Sequence, residues 1–266
     1  MVTVNLMVLK SRYYSYFLSV TFISALISLI PQPGLAQKNN RPVATATVSL
    51  EFVHTVGTRE FSPDSIYKND FGESFTVSRF RYYISNIQWH NRKTGKLYKT
   101  PASYFLIDEA EPLSKQIDLK VPAGQYTSLS FLIGVDSLKN ISGAQDGALD
   151  PINGMFWTWQ TGYIMAKLEG SSPVSKLPRN MFEFHIGGFK GPYNVLQRVE
   201  IPVTERMPII TGSKQSTIRI SVDINKWFNG KHPLPLSKHT ACMTPGELSL
   251  QYAENYITMF NAAEAQ

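Results

Sequence analysis

The sequence predicts an all-β protein: a β-sandwich-like single domain with long irregular loops and a short C-terminal helix. Two observations carry this prediction. Apolar and polar residues alternate along several short segments, and turn-forming residues separate those segments. A two-residue period is typical of strands with one buried face, and many short strands with regular turn signals are typical of sandwiches.

The alternation is clearest in Val48, Leu50 and Phe52, which are separated by polar residues. The same period recurs in four later segments, namely Phe75 and Val77; Phe80, Tyr82 and Ile84; Leu129, Phe131, Ile133 and Val135; and Ile218, Ile220, Val222 and Ile224. Turn signals lie at 93–96, 122–124 and 211–214. These segments are therefore predicted to be strands joined by turns.

One helix is signalled, near the C-terminus. Thr244, Pro245 and Glu247 have the spacing of a capping box, with Thr244 as N-cap and proline at the first helical position. Five residues then form one apolar face at helical spacing, namely Leu248, Tyr252, Tyr256 and Met259–Phe260. This helix is expected to pack against a sheet.

The N-terminus has the three-part layout of a secretory signal. Lys10 and Arg12 precede an uncharged, mostly apolar run over 13–30, and prolines then lead to small residues ending at Ala36. The alternative is a transmembrane anchor, since the run approaches the roughly 18 residues that span a bilayer. The prolines favour cleavage after Ala36. The predicted organisation is a signal peptide at 1–36, a flexible leader at 37–46 and a β domain at 47–262.

Composition narrows the class of protein. The net charge of +6 comes from scattered basic residues, so no nucleic-acid partner is expected. Cys242 is the only cysteine, which excludes an intramolecular disulfide. A disulfide-free exported protein fits the periplasm or the cell surface of a Gram-negative bacterium, and we expect a monomer. The chain contains no nucleophile elbow, phosphate loop or dinucleotide fingerprint, so it is not expected to be an enzyme.

Two histidines are candidate metal ligands. His54 continues the inward row of Val48, Leu50 and Phe52, and a buried imidazole requires a partner or a metal. A core histidine bonded to a backbone carbonyl is the alternative. His185 precedes two glycines at the end of a predicted strand, where it either points into a site or lies on the surface beside a bulge. His90 is predicted to be exposed.

Weaker donors lie elsewhere in the chain. His239, Cys242 and Met243 form a group of soft donors suited to Cu(I), although a hydrophobic lead-in to the helix explains Met243 equally well. Met181 shares a predicted strand face with His185. An acidic loop contains Asp136, Asn140, Asp146 and Asp150. Its oxygens suggest calcium, but the spacing matches no standard calcium loop, and Asx turns are favoured.

Trp157 and Trp159 project to the same face if the chain between them is extended. Core packing is the default interpretation. A stacking platform for a sugar ring is the second, and an oxidised tryptophan is the third. The spacing alone does not decide among these three.

Several segments together resemble the MbnP-like copper-binding protein family, which comprises the periplasmic MbnP of methanobactin gene clusters and its bacterial relatives. They are 52–54, 81–86, 104–108, 134–137, 147–151, 154–159, 162–163, 184–188 and 254–260. The resemblance covers the chain from about Val48 to Phe260. It implies an exported β-sandwich that binds a single copper ion, as Cu(I) or Cu(II).

The resemblance also implies partners and ligands. In this family a MauG-type dihaem protein, similar to cytochrome c peroxidases, oxidises a tryptophan to kynurenine, whose aniline nitrogen joins histidine nitrogens around copper. Carried over by motif, His54 and His185 are the ligands and Trp157 or Trp159 is the modified residue. An outer-membrane transporter is a further expected partner.

The predicted function is therefore that of an exported copper-binding protein, acting in copper uptake, storage or handling. The alternative is a carbohydrate- or surface-binding β-module that uses the two tryptophans as a platform. The copper prediction requires His54 and His185 to converge on one ion close to the indoles.

Overall fold

The computed structural model describes residues 44–63, 65–101, 103–157, 162–202, 210 and 216–262. The predicted signal peptide and residues 37–43 of the predicted leader lie outside these ranges, so their structure is not described. The first strand begins at Thr45, two residues before the predicted start of the β domain. Within the described residues, no helix has both the length and the apolar character needed to cross a membrane.

Strands dominate the described residues, which confirms the predicted all-β class. In chain order they are β1 Thr45–Val56, β2 Arg59–Glu60, β3 Tyr67–Lys68, β4 Ser74–Asn91, β5 Leu97–Lys99, β6 Tyr104–Asp108, β7 Gln116–Pro122, β8 Tyr126–Ile133, β9 Phe156–Trp157, β10 Gly162–Ser171, β11 Met181–Gly187, β12 Gln197–Pro202, β13 Ser216–Asp223, β14 Ala241–Cys242 and β15 Phe260–Ala262. The α-helices are α1 Ser137–Ile141 and α2 Glu247–Tyr256.

The strands form two sheets. In the first sheet the order is β15-β13-β1-β2, and β7 also pairs with β1. In the second sheet the order is β12-β8-β4-β10-β11-β14, with β3, β5 and β6 added on β4 and β9 on β10. β1 and β13 run parallel, as do β11 and β14, and the other pairs are antiparallel.

The predicted inward residues line the space between the sheets. Val48, Leu50 and Phe52 of β1 are buried, and the ring of Phe52 packs edge-on against Tyr82 of β4 and Phe131 of β8. His54 is also buried, as its position in this row predicts. Burial of these large apolar side chains, each contributing roughly 1.5–3 kcal/mol, stabilises the packing of one sheet on the other.

β4 joins two of the predicted segments into one strand of 18 residues. Its buried positions change phase after Val77, because Gly170 and Glu169 of β10 pair with Val77 and Arg79 and leave Ser78 as an extra residue. Such a bulge reverses which residues of the strand face inward. Phe75 and Val77 face inward before it, and Phe80 and Tyr82 face inward after it. Further along β4, Trp89 is buried and His90 is exposed, as predicted.

The C-terminal helix is shorter than predicted and starts later. α2 begins after Gly246, which makes no side-chain cap, so the prediction of Thr244 as N-cap is wrong. Tyr252 and Tyr256 are buried as predicted, against Trp227 and Phe184. Phe260 lies beyond the helix, because it starts β15 and pairs with Val222 of β13. Strand pairing at the sheet edge therefore ends the helix before its apolar pattern ends.

Gly170 is required by the close approach of β4 at the bulge. A Cβ atom there would lie 1.9 Å from the backbone oxygen of Thr76 and 2.6 Å from the Phe182 ring. We expect Gly170→Ala to lower the free energy of unfolding by about 1–3 kcal/mol, since a backbone atom cannot move aside as a side chain can.

Urea unfolding measures this effect, and Gly162→Ala in the same strand is the matched control. A Cβ atom at Gly162 would make an ordinary contact of 3.5 Å with the Phe189 ring. Equal stabilities of the two variants would contradict the prediction.

Candidate functional site

His54 lies near the end of β1, enclosed between the two sheets. Only 3% of the residue is exposed. Its ring packs edge-on against Phe80 and Tyr82 of β4, with centroids 4.8 Å and 5.7 Å away. A polar ring in this position must find hydrogen-bond partners among its neighbours, because water does not reach it.

Both ring nitrogens of His54 have side-chain partners. Nε2 lies 2.9 Å from the Tyr82 hydroxyl, and Nδ1 contacts the Glu109 carboxylate just beyond the end of β6. The other oxygen of Glu109 accepts a hydrogen bond of 2.9 Å from Lys115. His54 is therefore not bonded to a backbone carbonyl, as the alternative prediction had it. It belongs to a hydrogen-bonded network that runs from Tyr82 through His54 and Glu109 to Lys115.

Burial and nearby charges determine which atoms of this hydrogen-bonded network carry protons. Burial lowers the pKa of His54, and this effect outweighs the opposing hydrogen bond and charge of Glu109. Burial would raise the pKa of Glu109, but His54 and Lys115 together hold it below its usual value. The ring is therefore neutral: its Nδ1–H donates to the Glu109 carboxylate, and its Nε2 accepts from Tyr82.

Glu109 connects this buried hydrogen-bonded network to an open cavity of about 200 Å³. Arg79, Arg81 and Asp108 also line the cavity, together with the aromatic ring of Phe61. A proton on Glu109 can therefore exchange with solvent through this cavity, although His54 itself is buried.

His185 lies on β11, directly opposite Lys167 of β10. Its Nε2 is 2.7 Å from Glu169, and the other oxygen of that carboxylate is 3.4 Å from Arg79. The hydrogen bond from His185, assisted by the cations Lys167 and Arg79, lowers the pKa of Glu169 against the opposing effect of burial. His185 is therefore paired with a carboxylate, not free on the surface.

The two histidines lie on opposite faces of the second sheet. Phe80, Leu168 and Phe184 form one cross-strand row that faces inward, where His54 packs on Phe80. The adjacent row is formed by Arg81, Lys167 and His185, so those side chains point to the outer face. The predicted convergence of His54 and His185 on one ion is therefore wrong in this arrangement, because the sheet separates them.

Trp157 packs on the end of β11 at Gly187. A Cβ atom on Gly187 would lie 2.4 Å from Cζ3 of the indole, so the ring covers this glycine. Gly187 follows His185 by two residues, so their Cα atoms are roughly 6–7 Å apart along the strand. The double glycine thus permits a close approach, as its position at the strand end predicts.

Trp157 is not an exposed platform. Only 6% of it is accessible, and its ring forms part of the wall of a cavity of about 280 Å³. Tyr163, Phe189, Lys190 and Tyr193 also line that cavity. Trp159 lies outside the described residues, so the predicted choice between the two tryptophans stays open.

The group of soft donors does not assemble as predicted. Cys242 pairs with Phe184 and points inward, where burial raises the thiol pKa to about 11 and disfavours a thiolate ligand. Met243, the next residue, is 40% exposed and lies outside this interior position. His239 precedes β14 in a turn, with its backbone N–H bonded to Pro235.

Met181 shares the outer face with His185, but it lies four positions away along β11. At the rise of an extended strand this is roughly 13 Å, which is too far for one ion.

The acidic loop is a system of Asx turns. The Asp136 carboxylate caps α1 by accepting from Leu138 and Lys139, and Asp150 accepts from Ile152. Asn140 bonds the backbone of Val135 and Tyr163. These oxygens already serve backbone donors, as the favoured alternative to calcium predicts.

Copper requires a convergent donor set, and the described residues do not form one by themselves. Among them, no three His, Cys, Asp or Glu side chains gather in a metal-binding arrangement. His54 has both nitrogens engaged, and the Glu169 partner of His185 also faces Lys167 and Arg79. His185 and Trp157 do not form a complete copper site by themselves. The assignment of either histidine as a copper ligand stays a prediction.

The fold and these contacts define a class: a two-sheet β protein with one histidine–carboxylate pair inside and a second on its outer face. The chain belongs to the MbnP family, whose model matches residues 45–244. This confirms the resemblance and links the chain to copper handling in general.

The structure is similar to that of MbnP from Methylosinus trichosporium, with a TM-score of 0.51 and 15% sequence identity. The match covers 77% of this chain and 83% of that one, and it supports the fold. No curated protein sequence matches this chain.

The sequence did not single out the partners of the two histidines. Glu109 and Glu169 are charged residues with no distinguishing pattern, and they lie 55 and 16 positions from His54 and His185. Tyr82 was placed in an inward-facing row by its alternation with polar residues. That row was the only signal that it could meet His54.

Stability should depend on pH through His54. Its pKa in the folded state lies below 6.5, so in acid the unfolded chain takes up a proton that the folded state excludes. We expect the free energy of unfolding to fall as pH drops below about 6.5, with a slope of up to ~1.4 kcal/mol per pH unit. Glu109 adds to this loss only at lower pH, below its usual value of 4.5.

Urea unfolding at a series of pH values tests this contribution. His54→Gln should flatten the slope and cost about 1–3 kcal/mol at neutral pH, because the buried network is left incomplete. His90→Gln, at an exposed position of β4, should leave the slope unchanged. Parallel pH curves for the native protein and His54→Gln would rule out this role.

Proposed function

We propose that this chain is an exported copper-binding protein that acts in copper uptake, storage or handling in the periplasm or at the cell surface. The observation that carries the proposal is membership of the MbnP family over residues 45–244. This range includes β1, β9 and β11, and therefore both histidines and Trp157.

We place the copper donors on the outer face of the second sheet. His185 supports this placement, because its Nδ1 has no hydrogen-bond partner among the described residues while its Nε2 is oriented by Glu169. A carboxylate on one imidazole nitrogen is the usual arrangement when the other nitrogen binds a metal. His54 is not among the proposed donors, since Tyr82 and Glu109 occupy both of its nitrogens.

Trp157 is the proposed source of a second donor. An unmodified indole is a poor metal ligand, whereas the aniline nitrogen of kynurenine binds copper more readily. The indole packs on Gly187, two residues from His185 along β11, and we propose that a nitrogen formed there approaches the imidazole. This step requires an oxidising partner, which we propose to be a MauG-type dihaem protein.

A second candidate function is binding of a ring-shaped ligand, such as a sugar. The cavity beside Trp157 supports it, because Phe189 and Tyr193 add aromatic surfaces and Lys190 adds a cation. This function requires neither metal nor an oxidised tryptophan. Tyr193→Ala should then weaken glycan binding and leave copper binding unchanged.

Native mass spectrometry after co-expression with a candidate dihaem partner tests the copper proposal. We expect one bound copper and a mass increase equal to that of kynurenine over tryptophan. His185→Gln should lose the copper, while His54→Gln and the exposed control His90→Gln should retain it. Copper binding that survives His185→Gln, or no copper in any sample, would reject the proposed site.

A further inference from the structure

We propose that Tyr82 is a redox-active tyrosine: a one-electron oxidant of high potential converts it to a neutral tyrosyl radical while its proton moves to His54. This inference is independent of the proposed copper function. It rests on the buried hydrogen bond between the Tyr82 hydroxyl and His54 Nε2, 2.9 Å apart.

The nature of its partner distinguishes Tyr82 from the other buried tyrosines that the structure describes. Five of these donate to backbone carbonyl oxygens, namely Tyr67, Tyr83, Tyr126, Tyr163 and Tyr256. Tyr252 has no partner for its hydroxyl among the described residues. A carbonyl oxygen accepts a hydrogen bond but does not hold a proton near neutral pH, whereas a neutral imidazole does both.

The step balances in atoms and charge. Tyr82 gives one electron to the oxidant, its O–H bond breaks, and an N–H bond forms at His54 Nε2. The products are a neutral phenoxyl radical, an imidazolium and the oxidant reduced by one electron. Glu109 already accepts the Nδ1–H of the ring, so its carboxylate stabilises the imidazolium as soon as it forms.

This arrangement removes the main obstacle to oxidising a buried tyrosine. Without a base, loss of an electron leaves a phenol cation in an apolar interior, which is costly. Ionisation before oxidation is also disfavoured, since burial raises the pKa of Tyr82 well above its usual value. Proton transfer over one hydrogen bond avoids both charged forms of the tyrosine.

The surroundings protect the radical and place a second oxidisable ring nearby. Phe52, Phe80 and Phe260 pack around the Tyr82 ring, with centroids 6.2, 5.2 and 5.6 Å away. These rings offer no hydrogen atom that a phenoxyl radical readily abstracts. Phe80 also contacts the buried indole of Trp227 at 6.3 Å, which places a second oxidisable ring next to this cluster.

Photogenerated ruthenium(III) tris-bipyridine, a soluble one-electron oxidant, tests the proposal on the purified chain. Transient absorption gives the rate of phenoxyl formation, and electron paramagnetic resonance with ring-deuterated tyrosine identifies the radical. We expect a long-lived tyrosyl signal in the native protein, its loss in Tyr82→Phe, and slower formation in D2O. Tyr83→Phe, at the adjacent position with a carbonyl-bonded hydroxyl, is the matched control and should retain the signal.

His54→Gln separates proton acceptance from packing. Glutamine keeps a hydrogen-bond acceptor but no base, so the rate of radical formation should fall by about a hundredfold, as expected for loss of a positioned proton acceptor. If that variant does not fold, the D2O effect in the native protein and the slower rate in Glu109→Gln carry the same test. A long-lived signal that persists in Tyr82→Phe, or a rate unaffected by these changes, overturns the proposal.

Discussion

The second sheet imposes the constraint on which the arrangement of polar groups depends. Successive side chains of a strand point to opposite faces, so the sheet divides its charged and aromatic residues into two sets that cannot meet. The inner set includes Phe80 and Tyr82 and encloses His54. The outer set includes Lys167, Glu169 and His185. Each histidine therefore has its own carboxylate and its own environment.

This division changes what the two histidines can do. His54 is kept neutral by burial and held by partners on both nitrogens, which suits proton transfer within the core and not entry of a metal from solvent. His185 lies beside charged groups on the outer face and is partly exposed. Membership of the MbnP family gives this chain its general association with copper handling.

Local geometry at glycines makes these contacts possible. Gly170 lets β10 approach β4 at the bulge that returns Phe80 and Tyr82 to the inner face. Gly187 lets the indole of Trp157 lie directly on the sheet. In both places a methyl group would occupy the space of an atom already present. The bulge in β4 and the packing of Trp157 on β11 therefore depend on the absence of side chains at Gly170 and Gly187.

The sequence by itself determined the all-β class, the inward position of His54 and the exposed position of His90, because hydrophobic alternation reports which face of a strand is buried. It also indicated a close backbone approach at Gly187 and Gly188. Only the tertiary structure decided that His185 points away from His54, and that Glu109 and Tyr82 complete the buried chain. Alternation is a local property of one strand, whereas partners from distant segments depend on strand order, register and bulges that no single segment encodes.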